Sequence, residues 1–341
     1  MDKTRFGYEI INLGHGSGGV MTRELLDRII FKIFDNPFIQ EKHDGSIVTV
    51  DGEMAVSTDS FVISPIFFRG GNIGELAVNG TVNDVAMCGA IPKFLSLAFI
   101  VEEGMKIDDF VAIVKSVKAA ADKSGVQVIT GDTKVVERGK GDKIFINTTG
   151  FGKVHSKARI SVRQIKPGDK IIINGNLAQH GMAIMSEREG LEFESTIESD
   201  TTNLNFIVEK LLDEFGHHIK IFRDPTRGGL AGVLAEIASD TASGVVIYEE
   251  KLPIEKQVLA ACEILGLDPL YVANEGVFMT VVDAEVADEV VSLLKRDHKG
   301  RNAVCIGEFS ADHPQKVVVY NPLGGKRMVT PMIGEQLPRI C

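Results

Sequence analysis

The sequence predicts a protein of the α+β class, with mixed helices and strands folded into two domains. Its 341 residues are 44% hydrophobic and 25% charged, and a globular chain of this length suits two domains of typical size. Short apolar strands alternate with amphipathic helices along the chain. A Pro-Gly-Asp turn at 167–169 introduces a new buried strand near the middle. We therefore expect a domain boundary between about 155 and 167.

Residues 1–40 are predicted to form a glycine-rich segment followed by a helix, because apolar residues recur at helical spacing from Leu26 to Ile33. Residues 41–155 are predicted to form the N-terminal domain. It begins with a hairpin that turns at Asp51-Gly52. Further elements follow in the order helix 73–90, strand 94–101, helix 106–125, strand 126–130 and strand 143–154.

Residues 156–329 are predicted to form a second, C-terminal α+β domain. Apolar runs predict strands at 170–176, 243–249, 276–282 and 302–309, and helical spacing predicts helices at 204–216, 228–239 and 286–296. A last hairpin turns at Gly324-Gly325. Residues 330–341 have no period, so they are predicted to form a flexible tail that carries Cys341. Its extended reach would be roughly 35–40 Å.

Composition removes several classes of function. A formal charge of −10 argues against a general nucleic-acid binder. The start of the chain does not resemble a signal peptide, and the most apolar stretch is too short to cross a bilayer. The four cysteines stand far apart, so we expect no zinc site or disulfide framework, and a cytoplasmic location. Cys88, Cys262 and Cys305 are expected to be packing residues, whereas Cys341 has no apolar pattern around it.

Three aspartates lie just past apolar strands or at helix-side turns: Asp59, Asp84 and Asp132. Carboxylates in such places can converge at one edge of a sheet and bind Mg²⁺, which also binds phosphate. Each aspartate could instead simply cap a turn. Their small or hydroxyl-bearing neighbours Thr58, Asn83 and Thr133 favour a joint metal and phosphate site, in which they would help to bind the phosphate-bearing ligand. Asp44 is a fourth acidic candidate.

Two segments are candidates for binding phosphate. The stretch "GHGSGG" lacks the Walker ending, but its amides, at Gly16, Ser17, Gly18 and Gly19, can still wrap an anion. The alternative is a flexible leader. In "RDPTRGGLAG", Arg227 could meet a phosphate or pair with Asp224. Two further residues are open to a chemical role, Lys134 beside Asp132 and Glu275 before an apolar strand.

Together these motifs resemble the ATP-dependent synthetase superfamily that includes aminoimidazole ribonucleotide synthetase, selenophosphate synthetase and thiamine-monophosphate kinase. The resemblance is carried by "GHGSGG", "STDSFV", "NDVAMCGA", "TGDTKVV" and "DPTRGG". The segment "HGMAIMSEREGLEF" and the terminal "PRIC" are similar to one branch, the hydrogenase-maturation carbamoyl dehydratases of the HypE family.

This resemblance implies a four-stranded N-terminal sheet that pairs with a second subunit in a homodimer, with ATP at the junction of domains and subunits. It also implies a reaction: the carbamoyltransferase HypF loads a carbamoyl group onto the terminal cysteine, and ATP drives its dehydration to a thiocyanate. Cyanide would then pass to iron on the HypC–HypD scaffold, for nickel–iron hydrogenase.

The implied chemistry assigns roles to the candidate residues. Mg²⁺ on the aspartates would neutralise the transferring phosphoryl group. Glu275 or Lys134 would remove protons from the amide nitrogen, and Cys341 would carry the substrate. Two alternatives remain: a small-molecule kinase or cyclo-ligase of the superfamily with an incidental Cys341, and a non-catalytic nucleotide-binding scaffold.

Overall fold

The structure is a computed structural model that describes residues 7–17, 19–40, 45–191, 196–331, 337 and 339–341. Two sheets, one of four strands and one of seven, organise these residues, and helices pack against both. The predicted mixture of helices and strands in two units is confirmed.

The first unit contains five helices and six strands. The helices are α1 Val20–Leu25, α2 Phe31–Phe34, α3 Pro37–Gln40, α4 Ile73–Met87 and α5 Ile107–Ser124. The strands are β1 Met54–Phe61, β2 Phe67–Phe68, β3 Gly71–Asn72, β4 Ala90–Glu102, β5 Gln127–Val136 and β6 Ile144–Val154. A π-helical segment, Leu26–Ile30, joins α1 to α2. β2 and β3 form a small hairpin just before α4.

The four-stranded sheet has the order β1-β6-β4-β5, so β1 and β5 are its edge strands. The long helices α4 and α5 pack on one face, where β4 places Leu95, Leu97 and Phe99 in the core. Alternate residues point to the other face, which leaves Val56 and Ile100 exposed. α5 ends as predicted, because Gly125 adopts the left-handed conformation (φ 70°) that closes a helix.

Two strand predictions in this unit are wrong. Residues 46–50 form no strand, and β1 pairs with β6 rather than with a hairpin partner. Ile47 is 96% exposed, so the alternating pattern there has no core to face within this chain. The predicted strand 126–130 continues to Val136, because β5 pairs in parallel with β4 along its whole length. Asp132 therefore lies within a strand, not past its end.

The second unit contains seven strands and five helices. The strands are β7 Lys170–Ile173, β8 Ile219–Arg223, β9 Gly244–Tyr248, β10 Met279–Val282, β11 Val304–Ser310, β12 Val317–Tyr320 and β13 Lys326–Val329. The helices are α6 Gln179–Arg188, α7 Asn205–Phe215, α8 Gly229–Asp240, α9 Lys256–Leu265 and α10 Ala287–Leu294. The sheet order is β13-β12-β9-β11-β7-β10-β8. The predicted final hairpin is confirmed by β12 and β13.

Helix α6 was not predicted, although it proves central to the site. Its residues Gly181, Met182 and Ala183 are buried side by side. A helix buried on several sides has no polar stripe, so no amphipathic period marks it in the sequence.

The burial of the cysteines differs in part from the prediction. Cys262 is buried, as predicted, and Cys305 is half-buried. Cys88, just after α4, is exposed, so its prediction as a packing residue is wrong. Among the helices of the described residues, none combines the length and hydropathy that a bilayer-crossing helix requires.

Candidate active site

The centre of the site is where the edge strand β1 and the last turn of α4 meet the second unit. Strand alternation places Ser57 and Asp59 on the same face of β1, towards α4. Ser57 Oγ donates a 2.8 Å hydrogen bond to Asp84 Oδ2. Strand β8 ends at Arg223 and delivers Asp224 to the same place. Two of the predicted metal ligands, Asp59 and Asp84, are therefore brought together, with Asp224 as a third carboxylate.

Five acidic residues form what we call the carboxylate cluster: Asp59, Asp84, Asp200, Asp224 and Glu275. Burial raises the pKa of Asp84, and the negative charge of Asp59 raises it further, while the Ser57 hydrogen bond opposes both. Burial and then the charge of Asp84 raise the pKa of Asp224 to about 7. The cluster thus concentrates more negative charge than its surroundings neutralise.

Glu275 is 3% exposed, and its backbone is fixed by two neighbours. The Asp200 carboxylate accepts hydrogen bonds from the amides of Glu275 (3.1 Å) and Gly276 (3.0 Å). Asn83 Nδ2 donates to the Glu275 carbonyl at 3.3 Å. Burial, followed by the charges of Asp200 and Asp224, raises the pKa of Glu275 well above its ordinary value. A buried carboxyl group with a raised pKa is a candidate general base.

The end of the tail is docked into this site of its own chain. The carbonyl oxygens of its last residues accept hydrogen bonds: Cys341 from the Val62 amide (3.1 Å), Arg339 from the Ser64 amide (3.4 Å) and Ile340 from His180 Nε2 (2.7 Å). Arg188 also donates to the Arg339 carbonyl. We call Val62, Ser64, His180 and Arg188 the tail-docking site.

Docking of the tail is energetically close to balanced. Burying the Ile340 side chain, which is 4% exposed, contributes about 1.5–3 kcal/mol. Each backbone hydrogen bond adds about 0.5–1.5 kcal/mol. Ordering the three terminal residues costs about 1–2 kcal/mol each in backbone entropy. These favourable and unfavourable contributions are similar in size.

The thiol of Cys341 lies beside Arg227 and close to Glu275. Burial raises the pKa of the thiol to about 12, the charge of Glu275 adds to this, and the hydrogen bond with Arg227 opposes both. Arg227 Nη2 also contacts Asp59 Oδ1 at 3.3 Å. The docked thiol is therefore protonated at neutral pH, and Arg227 links it to the carboxylate cluster.

Asp132 does not join Asp59 and Asp84 within this chain, contrary to the prediction. β1 and β5 are opposite edges of the sheet, so three strand spacings of about 4.8 Å, roughly 14 Å, separate them. The register adds a second reason: Asp59 pairs with Thr148 on the helix-covered face, whereas Asp132 pairs with Ala98 on the other face.

The remaining predicted phosphate ligands lie along β5, not beside Cys341. Gly16 packs so closely against Val135 that a Cβ on it would meet the Val135 backbone nitrogen at 2.6 Å. This contact holds the glycine-rich segment against β5, on which Thr133 and Lys134 also lie. We call these residues the β5 group: Gly16, Ser17, Gly19, Asp132, Thr133 and Lys134. A cleft of about 510 Å³ opens between this strand and α1–α3.

Four further predicted site residues are Asn83, Thr58, Gly18 and Asp44. Asn83 is buried, and its side-chain amide forms hydrogen bonds with the backbone of Thr202, Glu275 and Leu204, so it positions the Glu275 backbone. Thr58 bonds Thr148 and Thr149 across β6 and points away from Asp84. Gly18 and Asp44 lie outside the described residues.

Sequence reasoning gave no site role to Asp200 or His180, and it treated Asp224 only as the possible partner of Arg227. No local pattern marks His180, because its partners Ile340 and Ser199 are distant in sequence. Asp200 stands in a segment without a period. Asp224 offered one available signal, because it closely follows the largely apolar stretch 219–222.

The cluster fits a divalent cation on chemical grounds. Asp59, Asp84 and Asp224 supply the carboxylate oxygens that hard cations prefer. Their mutual repulsion, expressed in the raised pKa values of Asp84 and Asp224, is what a bound cation would relieve.

The pKa of Asp224 makes a prediction about stability. Because it is raised from 3.8 to about 7, the folded state binds more protons than the unfolded state between these values, and stability falls as pH rises through them. We expect the thermal midpoint of the metal-free protein to fall by a few degrees between pH 5.5 and 8. Asp224→Asn should flatten this dependence, whereas Asp240→Asn, on the exposed end of α8, should not. If the thermal midpoint of Asp224→Asn fell with pH as steeply as that of the wild type, this prediction would be contradicted.

Comparison with known proteins agrees with this geometry. Residues 42–154 match the family model "AIR synthase related protein, N-terminal domain", and residues 166–320 match "AIR synthase related protein, C-terminal domain". A thiamine monophosphate kinase structure from Aquifex aeolicus, at 18% identity, shares the fold over 93% of this chain and 99% of that chain (TM-score 0.61). The fold and the site thus define an AIR synthase related protein.

Relatives with higher sequence identity show to which branch of the AIR synthase related proteins the chain belongs. Carbamoyl dehydratase HypE of Rhizobium leguminosarum bv. viciae is 47% identical over 332 residues, 97% of this chain and 95% of that protein. The HypE protein of Escherichia coli (strain K12) is 39% identical, covering 97% and 99%. The chain belongs to the carbamoyl dehydratase HypE family.

Solved structures of that family superpose on the chain. A hydrogenase maturation protein HypE in complex with ATP has a TM-score of 0.93 at 43% identity, over 96% of this chain and 99% of that chain. The HypE of a HypE–HypF complex has a TM-score of 0.80 at 44% identity, over 90% and 99%.

Proposed function

We propose that this protein uses ATP to dehydrate a carbamoyl group carried on its own Cys341, converting a thiocarboxamide into a thiocyanate for nickel–iron hydrogenase maturation. The observation that carries the proposal is the docked terminal thiol, which hydrogen-bonds Arg227 and lies near Glu275. A terminal cysteine without a chemical role would need no contact with an acidic cluster.

The reaction balances as one phosphoryl transfer and two proton losses. The amide oxygen attacks the γ-phosphorus of ATP, forming a carbon–oxygen–phosphorus link and releasing ADP. The nitrogen then loses both protons as the carbon–oxygen bond breaks, which leaves a nitrile on sulfur and inorganic phosphate. Phosphorylation is needed because an amide oxygen is otherwise a poor leaving group.

Several residues of this chain have distinct roles in the proposed reaction. Arg227 holds the sulfur end of the group, and its positive charge favours the phosphorylated intermediate. Glu275 accepts protons from nitrogen, helped by its raised pKa. Mg²⁺, held by Asp59 and Asp84 with Asp224, would neutralise charge on the transferred phosphoryl group. The alternative base, Lys134, lies on β5 and serves only if a second copy of the chain supplies it.

The separation of the carboxylate cluster from the β5 group supports a homodimer. β1 and β5 are the edge strands of the four-stranded sheet, and apolar Val56 and Ile100 are exposed on the face that the helices do not cover. Ile47, which precedes β1, is exposed as well. Pairing with a second copy would cover these apolar residues. It would also bring the β5 group of one subunit, including Asp132, to the cluster of the other, with ATP between them. Light scattering should give twice the chain mass.

We further propose HypF as the carbamoyl donor, the HypC–HypD complex as the cyanide acceptor, and the cytoplasm as the location. The HypE relative crystallised with HypF supports the first. We propose that the predicted tail, residues 330–341, acts as a movable arm, because loading, dehydration and delivery would take place on different proteins.

Phosphate release tests the proposed function against a small-molecule kinase. The protein is incubated with its carbamoyltransferase, carbamoyl phosphate and ATP, and inorganic phosphate is counted after the donor's own consumption is subtracted. A dehydratase should release one inorganic phosphate for each Cys341 converted. Phosphate appearing on a soluble small molecule, with Cys341 unmodified, would support the kinase.

Glu275→Gln should slow dehydration by at least about 100-fold while leaving loading intact, because it removes the proton acceptor. In the wild type, the rate should rise with pH through the raised pKa of Glu275, since only the deprotonated carboxylate accepts a proton. The measurement is single-turnover dehydration from pH 5.5 to 8.5. Glu263→Gln, an exposed change on α9, is the control, and a normal rate in Glu275→Gln would assign the base elsewhere.

A further inference from the structure

The tail docks beside the segment that follows β1. The amides of Val62 and Ser64 donate hydrogen bonds to the carbonyls of Cys341 and Arg339. The intervening carbonyl, that of Ile340, accepts its hydrogen bond from a different element, α6, at His180 Nε2, 2.7 Å away.

His180 is fully buried and uses both ring nitrogens. A carbonyl oxygen can only accept, so Nε2 carries the proton, and Nδ1 therefore accepts from Ser199 Oγ at 2.7 Å. The Phe68 ring meets the imidazole edge-on, with centroids 5.7 Å apart. The ring is thus held in one tautomer and one orientation, with its N–H directed at the tail.

We propose that His180 is a positioning residue for dehydration, which holds the docked tail by the Ile340 carbonyl and so places the group on Cys341 at the carboxylate cluster. The inference rests on the proposed function for the meaning of docking. His180 touches neither the sulfur nor the reacting atoms. Because it recognises backbone, the same contact serves the free thiol, the carbamoyl form and the cyanide form.

This role separates the two halves of the reaction cycle. Loading by a second enzyme requires the tail to leave, which breaks the His180–Ile340 bond. Dehydration requires the tail to return. Loss of the His180 donor should therefore slow dehydration and expose the thiol, but should not slow loading. A residue that only stabilises the fold would affect all steps together.

The test compares His180→Leu, which removes the donor, with His180→Gln, whose amide nitrogen can replace Nε2. Iodoacetamide labelling of Cys341 reports docking without any catalysis, and it is followed by the mass of the C-terminal peptide in a Cys88→Ala background. We expect labelling roughly tenfold faster in His180→Leu, the effect of one lost hydrogen bond. His180→Gln should stay close to wild type. Single-turnover dehydration should fall in the same order.

Each outcome separates this inference from the proposed function. Unchanged labelling and dehydration in a folded His180→Leu protein, with active wild type, would overturn the role of His180 alone. Faster labelling together with a wild type that never dehydrates its carbamoyl group would keep the docking role and reject the proposed function. Should His180→Leu fail to fold, Ser199→Ala decides, since loss of the Nδ1 partner should also speed labelling; wild-type labelling there would overturn the inference.

Discussion

Cys341→Ala is expected to abolish both carbamoyl loading and cyanide formation, because it removes the atom that carries the substrate. Folding should be unaffected, since the change lies at the last residue and leaves the Cys341 carbonyl bonded to Val62. The measurement is the mass of the C-terminal peptide after incubation with the carbamoyltransferase, carbamoyl phosphate and ATP.

The matched control is Cys88→Ala. Cys88 is an exposed thiol that lies close to Asp84 and Asp224 of the carboxylate cluster. Its adduct should form at the wild-type level. Full cyanide transfer by Cys341→Ala would mean that the terminal thiol is incidental, and the mechanism would be wrong.

Asp84→Asn is expected to stop the reaction after loading, with the carbamoyl adduct accumulating on Cys341. It removes a carboxylate from the proposed magnesium site, and loss of such electrostatic stabilisation costs at least about 100-fold in rate. Stability should not fall, because burial and Asp59 already disfavour the ionised form of Asp84. An equal or higher thermal midpoint would separate the lost activity from unfolding.

Asp240→Asn makes the same chemical change at the exposed end of α8 and should dehydrate normally. If Asp84→Asn instead converted carbamoyl to cyanide at the wild-type rate, the carboxylate cluster would have no part in the phosphoryl step.

The sequence predicted those features that depend on local pattern. Helix α5 follows from its apolar period and Gly125, and Asp59 and Asp84 were found because they stand beside recognisable elements. The terminal cysteine was singled out because no apolar pattern surrounds it in the sequence.

Features that depend on strand order were not predictable from local pattern. Asp132 resembles Asp59 in sequence, yet the order β1-β6-β4-β5 places them on opposite edges. The pKa of Glu275 is raised by burial and then by the charges of Asp200 and Asp224, which are 75 and 51 positions away in the chain. His180 lies on a buried helix without an amphipathic period, and its partner is the far end of the chain.

For the tail, the sequence and the structure describe two different states. Lack of pattern predicted an arm, whereas the structure shows its last residues docked on backbone amides and His180. The docked thiol has a pKa near 12, so it is a poor nucleophile in this position. Loading is therefore expected in the released state, and dehydration in the docked state.

The most direct test of the account is the mass of the C-terminal peptide of the loaded protein, followed with and without ATP. The account predicts that the carbamoyl adduct persists without ATP and loses the mass of one water when ATP and Mg²⁺ are added. Loss of water without ATP, or an adduct that ATP leaves unchanged, would contradict the claim that this enzyme dehydrates its own tail.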